Sequence, residues 1–166
     1  MIQLHRPQFL ATAVAMLGYC ATTAHGADLN PSAQKLEGTW MVTVTRVNPP
    51  ANLPAAFQSL MTNLPGGVVI ETSSTGRTNR SPAFGEWART GDRQFTTTFY
   101  LFRFAAGEVY SGYTKIVRNV QLSDDLQTFR AVSVQEQYDT EGKMTATLRA
   151  TEEGRRLLMG EIPDRP

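Results

Sequence analysis

The side chains able to do chemistry in this chain are arginines, glutamates and tyrosines set among alternating apolar positions. Successive residues of an extended strand point to opposite faces, so residues two apart share one environment. Read with that period, Arg118 shares a face with Ile116, Val120, Thr114 and Tyr110. Arg103 falls with Phe99 and Leu101, Glu136 with Val132, Val134 and Tyr138, and Glu86 with Phe84. A charge on an otherwise apolar face is the informative kind. Two arginines, two glutamates and Tyr110 turned inward, with Phe95, Phe99 and Phe102 as walls, could orient an anionic or hydroxylated small molecule. Arg118 inside an aromatic cavity needs a carboxylate, and Glu136 on the following strand is the nearest by order. The plainer alternative pairs the same Arg and Glu residues across an outer face, where they say nothing about function.

Other chemistries are excluded by what the chain lacks. Its two histidines and one cysteine are His5, His25 and Cys20, all before Ala27. Arg6 is followed by an apolar run from Phe9 to Cys20, shorter than the about 20 residues of a bilayer span. Ala24-His25-Gly26 then offers small residues for cleavage, so residues 1–26 are expected to be an export signal and 27–166 the domain. The expected location is periplasmic or secreted, without stable membrane insertion. A lipid anchor on Cys20 is the alternative, opposed by bulky Tyr19 where such signals want Gly, Ala or Ser. Beyond Ala27 there is no thiol or imidazole, which removes disulfides, His-based catalytic triads, Cys/His zinc sites and His-ligated haem. No cofactor or metal is implied. Ser123-Asp124-Asp125 and Asp139-Thr140-Glu141-Gly142 have the composition of turns rather than calcium loops. With 16 Lys+Arg against 15 Asp+Glu, no basic excess exists for nucleic acid.

The elements that must position these residues are short strands. Runs rich in Val, Thr, Phe and Tyr extend over 38–47, 59–64, 68–73, 84–89, 94–104, 109–122, 129–138 and 144–151, divided by Gly, Asp and Pro turns. Eight strands joined by short turns predict an all-β, eight-stranded antiparallel up-and-down barrel, with a two-sheet sandwich as rival. Asn48 to Pro54 holds three prolines and reads as a long loop, with a helical turn through Ala55-Ala56-Phe57. Thr75 to Pro82 is a polar, basic loop at the same end. The stretch 94–104 is apolar on both faces near its end, which reads as a strand covered on both sides by the 48–54 loop, or as an exposed aromatic patch for dimerisation.

Lys35-Leu36-Glu37-Gly38-Thr39-Trp40 opens the first strand, and its Lys-x-x-Gly-x-Trp spacing resembles the lipocalin signature and the wider calycin group. Gly85 to Asp92 resembles a Gly-x-Trp-x-Arg-x-Gly-Asp stretch of exported bacterial lipocalin-like proteins of no settled activity. The middle Thr-Asp-Tyr motif of lipocalins and their usual Cys pair are missing. The resemblance implies that Trp40 packs under the barrel base against a late basic side chain, from Arg149, Arg155 or Arg156. The leading expectation is therefore an exported lipocalin-like protein binding a small apolar or amphipathic ligand through Arg103, Arg118, Glu136, Tyr110, Phe99 and Glu86. A filled-core envelope or interaction module and a His-free barrel cyclase or isomerase stay open beside it.

Overall fold

The structure is a computed structural model that describes residues 36–76, 79–158 and 160. The expected signal (1–26), Cys20, the start of the domain at 27 and Lys35 lie outside the described residues.

Eight strands form: β1 Gly38–Val47, β2 Ala56–Leu64, β3 Val68–Ser73, β4 Ala83–Gly91, β5 Gln94–Phe104, β6 Tyr110–Leu122, β7 Thr128–Tyr138 and β8 Met144–Arg156. Each pairs antiparallel with the next, and β8 returns to β1, closing the barrel. The sandwich is thereby excluded, because a closed sheet leaves no second sheet to pack against. Two local readings change. The expected helical turn at Ala55-Ala56-Phe57 does not form, since Val44 and Thr45 of β1 pair with Phe57 and Ala56 and draw them into β2. β8 runs five residues past Thr151, because Glu152 to Arg156 complete the ladder with β1.

Alternation explains the burial. In β1, Trp40, Val42 and Val44 face inward and are buried, whereas Thr43 and Thr45 face solvent. The core fills the lower barrel with Trp40, Met61, Val69, Phe95, Leu122 and Phe129, among others. Trp40 and Phe129 pack with centroids 5.1 Å apart.

One end is sealed. The Arg156 guanidinium lies 4.2 Å from the Trp40 ring, so Arg156 is the late basic partner. It also donates to the carbonyls of Glu37 and Leu126, tying the chain before β1 to the β6–β7 turn. Trp40 Nε1 donates to Leu36 O at 3.0 Å. Gly38 stands at φ 116°, a conformation that side-chain-bearing residues rarely adopt, and its missing Cβ lets the Arg156 guanidinium approach the backbone. Burial lowers the pKa of Arg156 from its ordinary value. The opposite end carries the β1–β2, β3–β4, β5–β6 and β7–β8 connections and is open.

Candidate functional site

Inside the open end lies a cavity of about 450 Å³. Its apolar walls include Val44, Phe57, Phe99, Leu101, Ile116 and Leu148, contributed by β1, β2, β5, β6 and β8. Those residues leave space because the facing positions of β7 are Ser133, Gln135 and Gln137, and β8 supplies Ala150. Small and polar residues there keep the upper barrel from filling as the lower half does.

Charged side chains enter the cavity at three levels. Deepest is Arg118, whose Nε lies 2.6 Å from Glu152 Oε2, each side chain only 2% exposed. The contact is a close charge pair without hydrogen-bond alignment. The guanidinium also sits 4.9 Å from the Phe99 ring and touches the Met61 sulfur. On the side wall, Glu71 accepts from Ser59 Oγ at 2.5 Å and pairs with Arg80. Arg80 comes from the β3–β4 connection and also donates to Ser73 Oγ at 3.1 Å. At the rim, Arg103 donates to Tyr138 O at 2.6 Å, Ser111 O at 3.3 Å and Gln137 Oε1 at 3.3 Å, while its Nε is buried without a partner among the described residues. Arg46 lies 4.3 Å over the Phe57 ring and donates to Pro54 O, and burial lowers its pKa from the ordinary value. It stays charged, because guanidinium does not deprotonate in proteins.

Arg118, Arg103 and Phe99 therefore face inward and line the cavity as the alternation predicted. Tyr110, Glu136 and Glu86 do not. Tyr110 is 44% exposed on the outer face. The cause is a bulge: Arg103 pairs with Gly112 but Phe104 with Tyr110, so the extra residue Ser111 turns everything before it to the other side. Gly112 makes this possible, with φ 114° and the Tyr138 carbonyl 2.0 Å from where a Cβ would stand. Glu136 lies on the outer face, 3.6 Å from Lys115, and accepts from the Tyr138 hydroxyl at 2.9 Å, which raises the tyrosine pKa. Its strand carries Val132, 58% exposed, outside and Ser133 and Gln135 inside, so the apolar alternation pointed the wrong way. Glu86 is likewise outward beside Phe84, which is 59% exposed, because Gly85, Trp87 and Arg89 take the inner face of β4.

The partner of Arg118 also differs from expectation. On the adjacent strand the inward residues level with it are Ser133 and Ala131, so the guanidinium reaches across them to Glu152 on β8. Reading β8 to Arg156 would have found Glu152 on the face of Ala150. Glu71 alternates with Val69, and Arg46 with Val42 and Val44, so the same period marks both. Arg80 has no periodic signal, since it comes from a loop.

The stretch 94–104 is not covered by the 48–54 loop. Tyr100 is 47% and Phe102 57% exposed on the outer face. Both turn sequences behave as turns: Asp125 Oδ1 accepts from Gln127 N at 2.9 Å, and Asp139 Oδ1 from Lys143 N at 2.9 Å. Among the described residues no group of three or more His, Cys, Asp or Glu is placed to hold a metal ion, and no helix is long and apolar enough to cross a membrane.

Fold and interior together define a closed eight-stranded antiparallel β-barrel with an arginine-rimmed cavity open at one end. No protein-family model and no curated protein matches the chain. Among solved structures it is similar to a redesigned β-barrel, with a TM-score of 0.50 at 16% identity, covering 76% of this chain and 96% of that one. At that identity the likeness concerns the fold alone.

Proposed function

We propose that this chain is an exported, lipocalin-like protein that holds a small apolar or amphipathic molecule in its barrel cavity. The observation that carries the reading is the cavity of about 450 Å³ between aromatic and aliphatic walls, within the size range of small-molecule sites. A filled-core module has no use for such a space. The Gly38–Trp40–Arg156 closure of the opposite end supports the lipocalin-like assignment. Binding is favoured over turnover because the inward carboxylates, Glu71 and Glu152, are each engaged by an arginine. The glutamates considered as acid/base groups, Glu86 and Glu136, stand on the outer face.

Calorimetric titration with decanol, a neutral probe of aliphatic shape, tests the reading. Saturable one-site binding is expected, and Ala150→Phe should abolish it by filling the cavity from β8 while the barrel still melts cooperatively. Binding that persists unchanged in Ala150→Phe would place the probe elsewhere and refute the cavity as the site.

A further inference from the structure

We propose that the cavity's ligand is an organic monoanion with an apolar tail, its head group held at the mouth by Arg103 and Arg46; the inference rests on the cavity-binding reading above. The first argument is local charge. The whole chain carries a formal net charge of +1, yet the cavity is lined by Arg46, Arg80, Arg103 and Arg118 against Glu71 and Glu152, with exposed Arg149 at its edge. An almost neutral protein thus concentrates cations around one opening, where low-dielectric walls focus the field.

The second argument is which cations are already satisfied. Arg118 is neutralised by Glu152 and Arg80 by Glu71. Neither Arg103 nor Arg46 has a carboxylate within 4.0 Å among the described residues. Their protein contacts are carbonyls, an amide oxygen and an aromatic ring, all of which hold a guanidinium in place without cancelling its charge. Arg103 Nε is buried and has no acceptor among the described residues. A half-buried guanidinium with an unused donor is poorly compensated by the described protein groups alone, and an anionic oxygen would supply what it lacks.

The third argument is polarity along the barrel. Below the rim stand Leu101, Ile116, Leu148 and Phe57, and the floor ends at the internally neutral Arg118–Glu152 pair. A tail entering first meets apolar walls and leaves its head at the arginines, near water. A head entering first would desolvate its charge against a pair that has none to offer.

Titration with decanoate beside decanol and decylammonium, by calorimetry at low ionic strength, tests the assignment. Decanoate should bind about tenfold or more tighter than decanol, as expected for one or two charge-assisted hydrogen bonds. Decylammonium should bind more weakly than either, and added salt should shrink the decanoate advantage. Gln137→Glu is the sharpest variant, since it is nearly isosteric and places a carboxylate against Arg103, whose Nη1 already contacts Gln137 Oε1 at 3.3 Å. The decanoate-to-decanol ratio should then fall toward one, and Arg46→Gln should lower it independently from another strand. Equal affinity of the parent protein for decanoate and decanol, or a ratio preserved in both variants, overturns the anion site while leaving the cavity reading intact. Absence of binding by every probe overturns the cavity reading, and the anion site with it.

Discussion

Replacing Glu152 by Gln isolates the charge pair at the floor of the cavity. Both partners are 2% exposed and separated by 2.6 Å, so each is compensated chiefly by the other. In Glu152→Gln the guanidinium of Arg118 keeps only the Phe99 face at 4.9 Å, the Met61 thioether and an amide in place of an opposite charge. Stranding a buried charge this way costs about 3–5 kcal/mol. That is a large share of the about 5–15 kcal/mol that holds a domain together. For a barrel of this length it lowers the melting temperature by about 10–20 °C. Arg118→Met should cost less, because methionine fills much of the space that the arginine stem occupies. The double variant Arg118→Met/Glu152→Gln should be more stable than Glu152→Gln alone. Urea melts of the four proteins, taken as a double-mutant cycle, measure the coupling. Single-variant losses below about 1 kcal/mol that simply add would show the pair to be solvated, and the argument from burial would fail.

Trp40→Ala should destabilise by about 3–5 kcal/mol, since it removes the ring under Arg156 and beside Phe129; a fully folded variant with parental urea midpoint would contradict the sealed base. Glu136→Gln should change stability by less than about 1 kcal/mol, because its pair with Lys115 is outside and about a third exposed; a loss comparable to that of Glu152→Gln would mean the register of β7 is inverted. Hydrogen bonds from Ser123 and Gln127 depress the pKa of Asp125, so its contribution is present above its unfolded pKa and is lost as pH falls through the lower folded value. Asp125→Asn should accordingly flatten the acid side of the stability profile, as followed by circular dichroism, and leave the neutral-to-alkaline side parallel to the parent.

The barrel was legible because turns and strand alternation are local properties. β1, β3 and β5 have the bounds that the sequence pattern predicts, and Pro-Gly-Gly and Asp-rich turns separate neighbours that pair. Within the site the same period placed Arg118, Arg103 and Phe99 correctly, since β5 and β6 run unbroken from Phe95 to Arg103 and from Gly112 to Val120. It failed at Tyr110, where one extra residue reverses the faces, and at Glu136 and Glu86. There the usual inference from apolar to inside breaks down, because a barrel that keeps a cavity lines part of its interior with Ser, Gln and Gly and leaves Val and Phe outside.

What the chain's local chemistry determines by itself is the number of strands and their antiparallel order. These follow from side-chain period, turn residues and the short reach of hairpins. Which carboxylate meets which arginine was decided only by closure. Bringing β8 back to β1 sets Glu152 opposite Val44 and within reach of Arg118, two strands away over Ser133 and Ala131. Closure also leaves Arg103 and Arg46 at one rim without an acid among the described residues. Charge balance across a cavity depends on distances through the barrel interior, and sequence spacing carries no record of those.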